Sequence, residues 1–292
     1  MRQMAFVWRT SIIIPDRSQP LPQIAPSIAP ISASIQEASM GARLLLIIAV
    51  LLVLGLLLVS VVLYVTFGLI RGSGEARSAT RDVSDFTAVN FTNYGEMTII
   101  QDGTEGLAID TTEDLLAHIE TTVRDGTLTI RFDNRFRFPY GFRFLRPPQS
   151  IRYTLHVKKL EALDLSGAGT VYAEQLTADR LALVESGAGT ITVDQLTAGD
   201  LAVTISGAGV VTLAGQATHQ SVQMSGLGNY AAGDLKSQTA QVNLSGAGSA
   251  TLWVEETLAA TLSGAGSINY YGSPQTTSSK SGVGDIHSLG AK

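Results

Sequence analysis

Cysteine is absent from the 292 residues. This removes disulfides, thiolate metal sites, a cysteine nucleophile and a lipidated cysteine anchor together. Histidine is scarce, with His118, His156, His219 and His287 too dispersed for metal-ligand spacing. Charge is thin as well: Asp, Glu, Lys and Arg make up 15% of the chain, against about 25% in ordinary globular proteins. The formal net charge is −5, so there is no basic excess to neutralise phosphates, and nucleic acid is not an expected partner. What the chain has instead is 29 glycines and one long apolar run. That profile fits a membrane segment joined to a glycine-rich repeat array better than a cytosolic enzyme.

From Leu44 to Ile70 run 27 consecutive residues without a charge, bracketed by Arg43 and Arg71. As a helix they reach roughly 40 Å, enough to cross a hydrocarbon core of about 30 Å with tilt. A secretory signal has a shorter apolar run of about 7–15 residues, so 44–70 reads as a single transmembrane α-helix that is retained and contacts membrane lipid. Basic residues lie on both sides of it, and charge does not fix the orientation. Residues 1–43 hold five of the nine prolines and no periodicity, which predicts a disordered tail. Translation from either Met1 or Met40 is compatible with a signal anchor. Residues 71–84 read as a linker.

The dominant signal is internal repetition. Seven Ser-Gly-x-Gly motifs occur: Ser166-Gly167-Ala168-Gly169, Ser186-Gly187-Ala188-Gly189, Ser206-Gly207-Ala208-Gly209, Ser225-Gly226-Leu227-Gly228, Ser245-Gly246-Ala247-Gly248, Ser263-Gly264-Ala265-Gly266 and Ser281-Gly282-Val283-Gly284. Between them, two-residue alternation is broken by polar pairs such as Glu174-Gln175 and Asp179-Arg180, giving short strands that bury no face alone. Stacked as coils, each strand pairs about 4.8 Å above and below, and the apolar alternates fill a continuous core. The predicted fold is therefore all-β, a parallel β-helix of 18–20 residues per coil over residues 85–292. The glycines are expected to supply permissive φ at a repeated structural turn, the small middle residue to allow close stacking, and the serine hydroxyls to form a column. Residues 85–133 read as the start of the same structure, with Asp125-Gly126 as a tight turn and Asp82–Val89 capping the first coil.

Several phrases carry a resemblance: Asp85-Phe-Thr-Ala-Val89, Thr122-Val-Arg-Asp-Gly-Thr-Leu-Thr-Ile130, the Ser-Gly-x-Gly series and Ile268-Asn-Tyr-Tyr-Gly-Ser-Pro274. Together they resemble the auto-transporter adhesin head family, the GIN domain, a bacterial envelope family of unknown function. The resemblance covers about 85–292. It implies a β-helical, extracytoplasmic, adhesion-type domain, which the helix read over 44–70 would attach to the cell membrane in a single pass, and it carries over no catalytic residue.

Enzymatic chemistry has few footholds. The third glycine of a dinucleotide fingerprint is missing after every motif, no Walker A string exists, and a calcium-type Asp follows only Gly284, as Asp285. No cofactor is expected. Seven recurrences mark the serines as structural, since a nucleophile is needed once. Stacking in register places Glu174 and Asp194 about 5 Å apart, suited to a retaining glycosidase pair or a weak cation site; in a polar turn, solvated acids are the ordinary reading. Glu185 precedes a motif where other coils carry Leu165, Ile205 or Leu244. Burying a lone carboxylate is costly, so Glu185 is protonated, paired, or kept out by a local strand shift; Val184 beside it favours the shift, with Val184 turned inward.

Among non-repeat segments, Arg131–Arg146 stands out. As a hairpin about Pro139-Tyr140-Gly141 it puts Phe136, Phe138, Phe142 and Phe144 on one face and Arg135, Arg137 and Arg143 on the other. Residues 131–160 carry a net +7 and residues 161–292 a net −7. The segment serves either as a lid or as a contact surface for anionic envelope polysaccharide or lipid headgroups. The expected role is non-enzymatic adhesion or envelope interaction. Two alternatives stand behind it: a regulatory accessory acting through another membrane protein, and a polysaccharide-active enzyme built on Glu174 and Asp194.

Overall fold

The computed structural model describes residues 76–133 and 150–292. The segments 1–43 and 44–70, and the Arg135–Phe144 hairpin, lie outside the described residues. Among the described residues no helix is long and apolar enough to cross a membrane.

The chain forms a parallel β-solenoid of about six turns. Its body consists of β9 (Ala168–Glu185), β10 (Thr190–Ile205), β11 (Val210–Met224), β12 (Asn229–Leu244) and β13 (Ser249–Leu262). Two shorter coils complete it, made of β14 (Ser267–Tyr271), β15 (Gln275–Lys280) and β16 (Asp285–Gly290). Each long strand bends around the solenoid and pairs in parallel with the next. Alternation decides what points inward, and the inward residues stack into apolar columns. Val171, Ile191, Val211, Tyr230, Ala250 and Ile268 form one, and Leu163, Leu183, Val203, Val222, Val242 and Ala260 another; all are buried. Coils of unequal length are reconciled by register shifts, as between Val193 and Leu196 or Ala232 and Lys236, so the corners stay aligned.

The N-terminal end is built differently. Ahead of the body come β1 (Ala76–Arg81), β2 (Ala88–Phe91), β3 (Tyr94–Gln101), β4 (Gly106–Thr112), the single turn α1 (Glu113–Leu116), β5 (Ile119–Arg124), β6 (Thr127–Phe132), β7 (Arg152–Val157) and β8 (Ala162–Leu165). The sheet order is β1-β4-β7-β3-β9, so β7 is inserted between β3 and β4. β4 runs antiparallel to β7, and β1 antiparallel to β4. The linker expected over 71–84 is thus partly strand. The cap is also not Asp82–Val89: β2 lies between β6 and β8, β5 closes that side antiparallel to β6, and β4 and β1 close the β3 side beyond β7. The Asp125-Gly126 turn forms as expected, with φ of 50° and 72°, the signature of a two-residue hairpin turn.

Candidate functional site

The seven motifs form a column of corners held by backbone hydrogen bonds. The Ser206 N–H donates to the Glu185 carbonyl (2.9 Å), the Ala208 N–H to Gly187 (2.9 Å) and the Val210 N–H to Gly189 (3.0 Å). The same three-bond pattern repeats at the next corners, from Ser225, Leu227 and Asn229. The reason for glycine differs from the expectation. The first glycines at 167, 187, 207, 226, 246 and 264 do not have positive φ. Instead, a Cβ on Gly207 would sit 2.0 Å from the Gly187 carbonyl oxygen, and one on Gly264 1.8 Å from that of Gly246. These positions need the absence of a side chain, not backbone freedom. Nor is a small middle residue required, because it faces solvent: Leu227 is 71% and Val283 82% exposed. The motif serines are exposed too, and the Ser245 hydroxyl donates to the Met224 carbonyl (3.3 Å).

Beneath this column lies Glu185, and here the expected strand shift does not occur. Glu185 is fully buried, and Val184 and Glu185 pair in unbroken register with Thr204 and Ile205. The two Glu185 carboxyl oxygens instead accept from the N–H groups of Gly189 and Gly209, both at 3.2 Å. A Cβ on Gly209 would lie 2.2 Å from the Glu185 Cδ, so the glycine leaves the space that the carboxyl fills. These two hydrogen bonds from backbone N–H groups offset the cost of burying a polar side chain.

Glu174 and Asp194 do occupy equivalent positions on adjacent coils, flanked by the pairs Ala173/Val193 and Gln175/Gln195. Both are exposed. The Tyr172 hydroxyl donates to Asp194 (2.8 Å), and this bond to a carboxylate raises the Tyr172 pKa. Among the described residues no desolvating wall surrounds the pair, and a general acid needs one to stay protonated near neutrality.

The larger feature lies on another face. A trough of about 720 Å³ runs across six coils, a length of about 24 Å at the strand spacing. One side is the stacked column Arg180, Asp200, His219, Thr239, Thr257 and Gln275. Small side chains line it too, among them Ala182, Ala202, Ser221 and Ala259. Rim groups are tied along the column: Arg180 pairs with Asp200 (3.5 Å), and His219 Nδ1 lies 2.8 Å from the Thr239 hydroxyl. Glu174 and Asp194 do not line it. Sequence reasoning missed the trough, although the small residues two places after Arg180 and Asp200 were its trace.

A second cluster, also unforeseen, joins Trp253 and Tyr271 on adjacent coils. Glu255 accepts from the Trp253 indole N–H (2.9 Å) and pairs with Lys236 (3.6 Å). The Lys292 ammonium lies 5.2 Å from both ring centroids and bonds to Asp234 and to the Gly233 carbonyl.

Residues 85–274 match the family described as "Putative auto-transporter adhesin, head GIN domain". The chain belongs to this family. A "putative adhesin" from Bacteroides fragilis NCTC 9343 has a similar crystal structure, with 29% identity and a TM-score of 0.69 over 74% of this chain and 98% of that one. Two further structures described as putative adhesins show the same fold. That from Parabacteroides distasonis ATCC 8503 has 21% identity and a TM-score of 0.59; that from Parabacteroides merdae ATCC 43184 has 20% and 0.58. Each covers 75% of this chain and 98% of its own. No curated protein matches the chain significantly. The GIN-domain solenoid is thus an adhesin-type β-helix.

Proposed function

We propose that this GIN-domain protein is a non-enzymatic adhesion module, anchored in the cell membrane through residues 44–70 and displaying its solenoid outside the cytoplasm. The trough carries this reading. An open trough across six coils of a rigid solenoid, with an apolar lining and polar groups along it, suits an extended polymer better than a small substrate. Its rim offers Arg180, Asp200, His219 and Gln275 as hydrogen-bonding groups at the coil repeat. Family membership supports the adhesive role, and the 27-residue uncharged run supports the anchor. The partner we infer is an anionic envelope polysaccharide. Its charges are met by Arg135, Arg137 and Arg143, with Phe136, Phe138, Phe142 and Phe144 beside them in the sequence, and its sugar rings by the trough, whose charged lining of Glu161, Arg180 and Asp200 is not basic.

The test is co-sedimentation of the full chain, in micelles, with purified anionic envelope polysaccharide. Saturable, salt-sensitive binding is expected. Ala202→Trp, which fills the trough from an exposed position, should reduce it at least about tenfold, and Arg135, Arg137 and Arg143→Ser should flatten the salt dependence. Binding indifferent to Ala202→Trp would remove the trough from the reading. Absence of polymer binding would redirect it to a protein partner in the membrane.

A further inference from the structure

We propose that Trp253, Tyr271, Asp234 and the Gly233 carbonyl form a receptor for a primary ammonium, filled in cis by Lys292 and open in trans to a lysine side chain of another polypeptide. Four observations build it. The Lys292 nitrogen is 5.2 Å from both ring centroids, inside the roughly 6 Å range of cation–π attraction. It also donates to Asp234 and to the Gly233 carbonyl, so π faces and hydrogen-bond acceptors converge on one nitrogen. Although the surrounding surface is open, the Lys292 side chain is only 29% exposed. Position 233 is built for the purpose as well: a Cβ there would meet the Tyr271 ring at 3.2 Å, so glycine lets the ring lie across the coil.

The cage is held independently of its occupant. Glu255 fixes the indole through the Trp253 Nε1–H (2.9 Å), while Lys236 lies on Trp253 at 5.4 Å and pairs with Glu255. With Lys292 withdrawn, Asp234 and Glu255 face Lys236 alone, a local net charge of −1 that favours an incoming cation. The acceptors set the selectivity. A primary ammonium can donate N–H bonds to Gly233 and Asp234, and a trimethylated one cannot. Lys292 then acts as a tethered competitor at millimolar effective concentration, which lowers apparent affinity for any outside lysine.

Trp8 and Trp253 are the two tryptophans, so Trp8→Phe makes Trp253 the sole indole reporter. The experiment titrates the full chain in micelles, carrying Trp8→Phe with and without Lys292→Ala, with Nα-acetyl-lysine methylamide and with its trimethyl-lysine counterpart. Lys292→Ala should give a saturable change in Trp253 emission, at an apparent affinity about tenfold or more tighter than with Lys292 retained. The trimethyl compound should bind more weakly, and adding Asp234→Asn, an exposed change that spares the core, should remove the response. No saturable change in the Lys292→Ala protein would overturn the proposal. So would a response equal with and without Lys292, or one that survives Asp234→Asn.

Discussion

From Ala168 to Lys280 every strand pairs in parallel with its counterparts one coil away, whereas β1, β4 and β5 run antiparallel and β7 is threaded between β3 and β4. The array repeats one solution. Its corners carry the same backbone bonds, and its inward columns accept Leu, Ile, Val or Met interchangeably. The N-terminal cap solves a boundary problem once, with individual contacts such as Phe91 packed edge-on against Tyr153 (5.1 Å) and Asn93 donating to the Tyr153 hydroxyl (3.1 Å). Repetition makes stability depend on backbone clearance, which no side chain can replace, while the cap depends on specific side chains.

The largest expected effect breaks the array at a corner. Gly207→Ala drives a methyl to 2.0 Å from a carbonyl oxygen and should cost about 3 kcal/mol or more, seen as a lowered urea midpoint. Gly103→Ala, in the cap, meets nothing within 4 Å but has φ of 83°, so it should cost about 1–2 kcal/mol. Equal losses at the two sites would erase the distinction.

Replacing Glu185 with the residue type of its neighbouring coils sharpens the same point. Glu185→Leu should be neutral to within about 1 kcal/mol, the gain from burying an apolar side chain being set against two lost hydrogen bonds of about 1 kcal/mol each, because Leu165 already fits beneath Gly189. A loss in urea denaturation above about 1 kcal/mol would make the carboxylate a keystone of that corner.

On the cap side, Asp102 accepts from the Thr104 hydroxyl (2.7 Å) and backbone N–H, and lies 2.7 Å from His156 Nδ1. Those contacts, the Thr104 hydroxyl first, lower its pKa from 3.8 to about 2. Because the folded value is depressed, its contribution is complete above the ordinary value and fades as pH falls from near 4 through 2. Urea midpoints across that window should therefore fall less steeply in Asp102→Asn. Smallest of all, Arg180→Ser breaks an ion pair whose partners are 85% and 57% exposed, and should change stability by less than about 1 kcal/mol.

The array was legible because periodicity and turn chemistry speak together: Ser-Gly-x-Gly at 18–20 residues, with apolar alternation between, leaves few other folds. The role of its glycines was not, since a tight approach and a positive φ look alike in one dimension. Glu185 was misjudged for a related reason. Its two N–H partners belong to the corner itself, and one of them lies a full coil ahead at Gly209. The cap was opaque because its strands pair out of chain order. The trough and the lysine cage escaped because one is made of small residues without chemistry of their own, and the other joins Lys292 to Asp234 across several coils.

The corner column has one more consequence. Since each corner presents the coil above with a bare carbonyl and the coil below with a missing side chain, any such coil docks on any other. Duplicating or deleting one 18–20-residue unit would lengthen or shorten the solenoid without redesigning an interface. Reach would then be a counted quantity, adjustable in steps of about 4.8 Å.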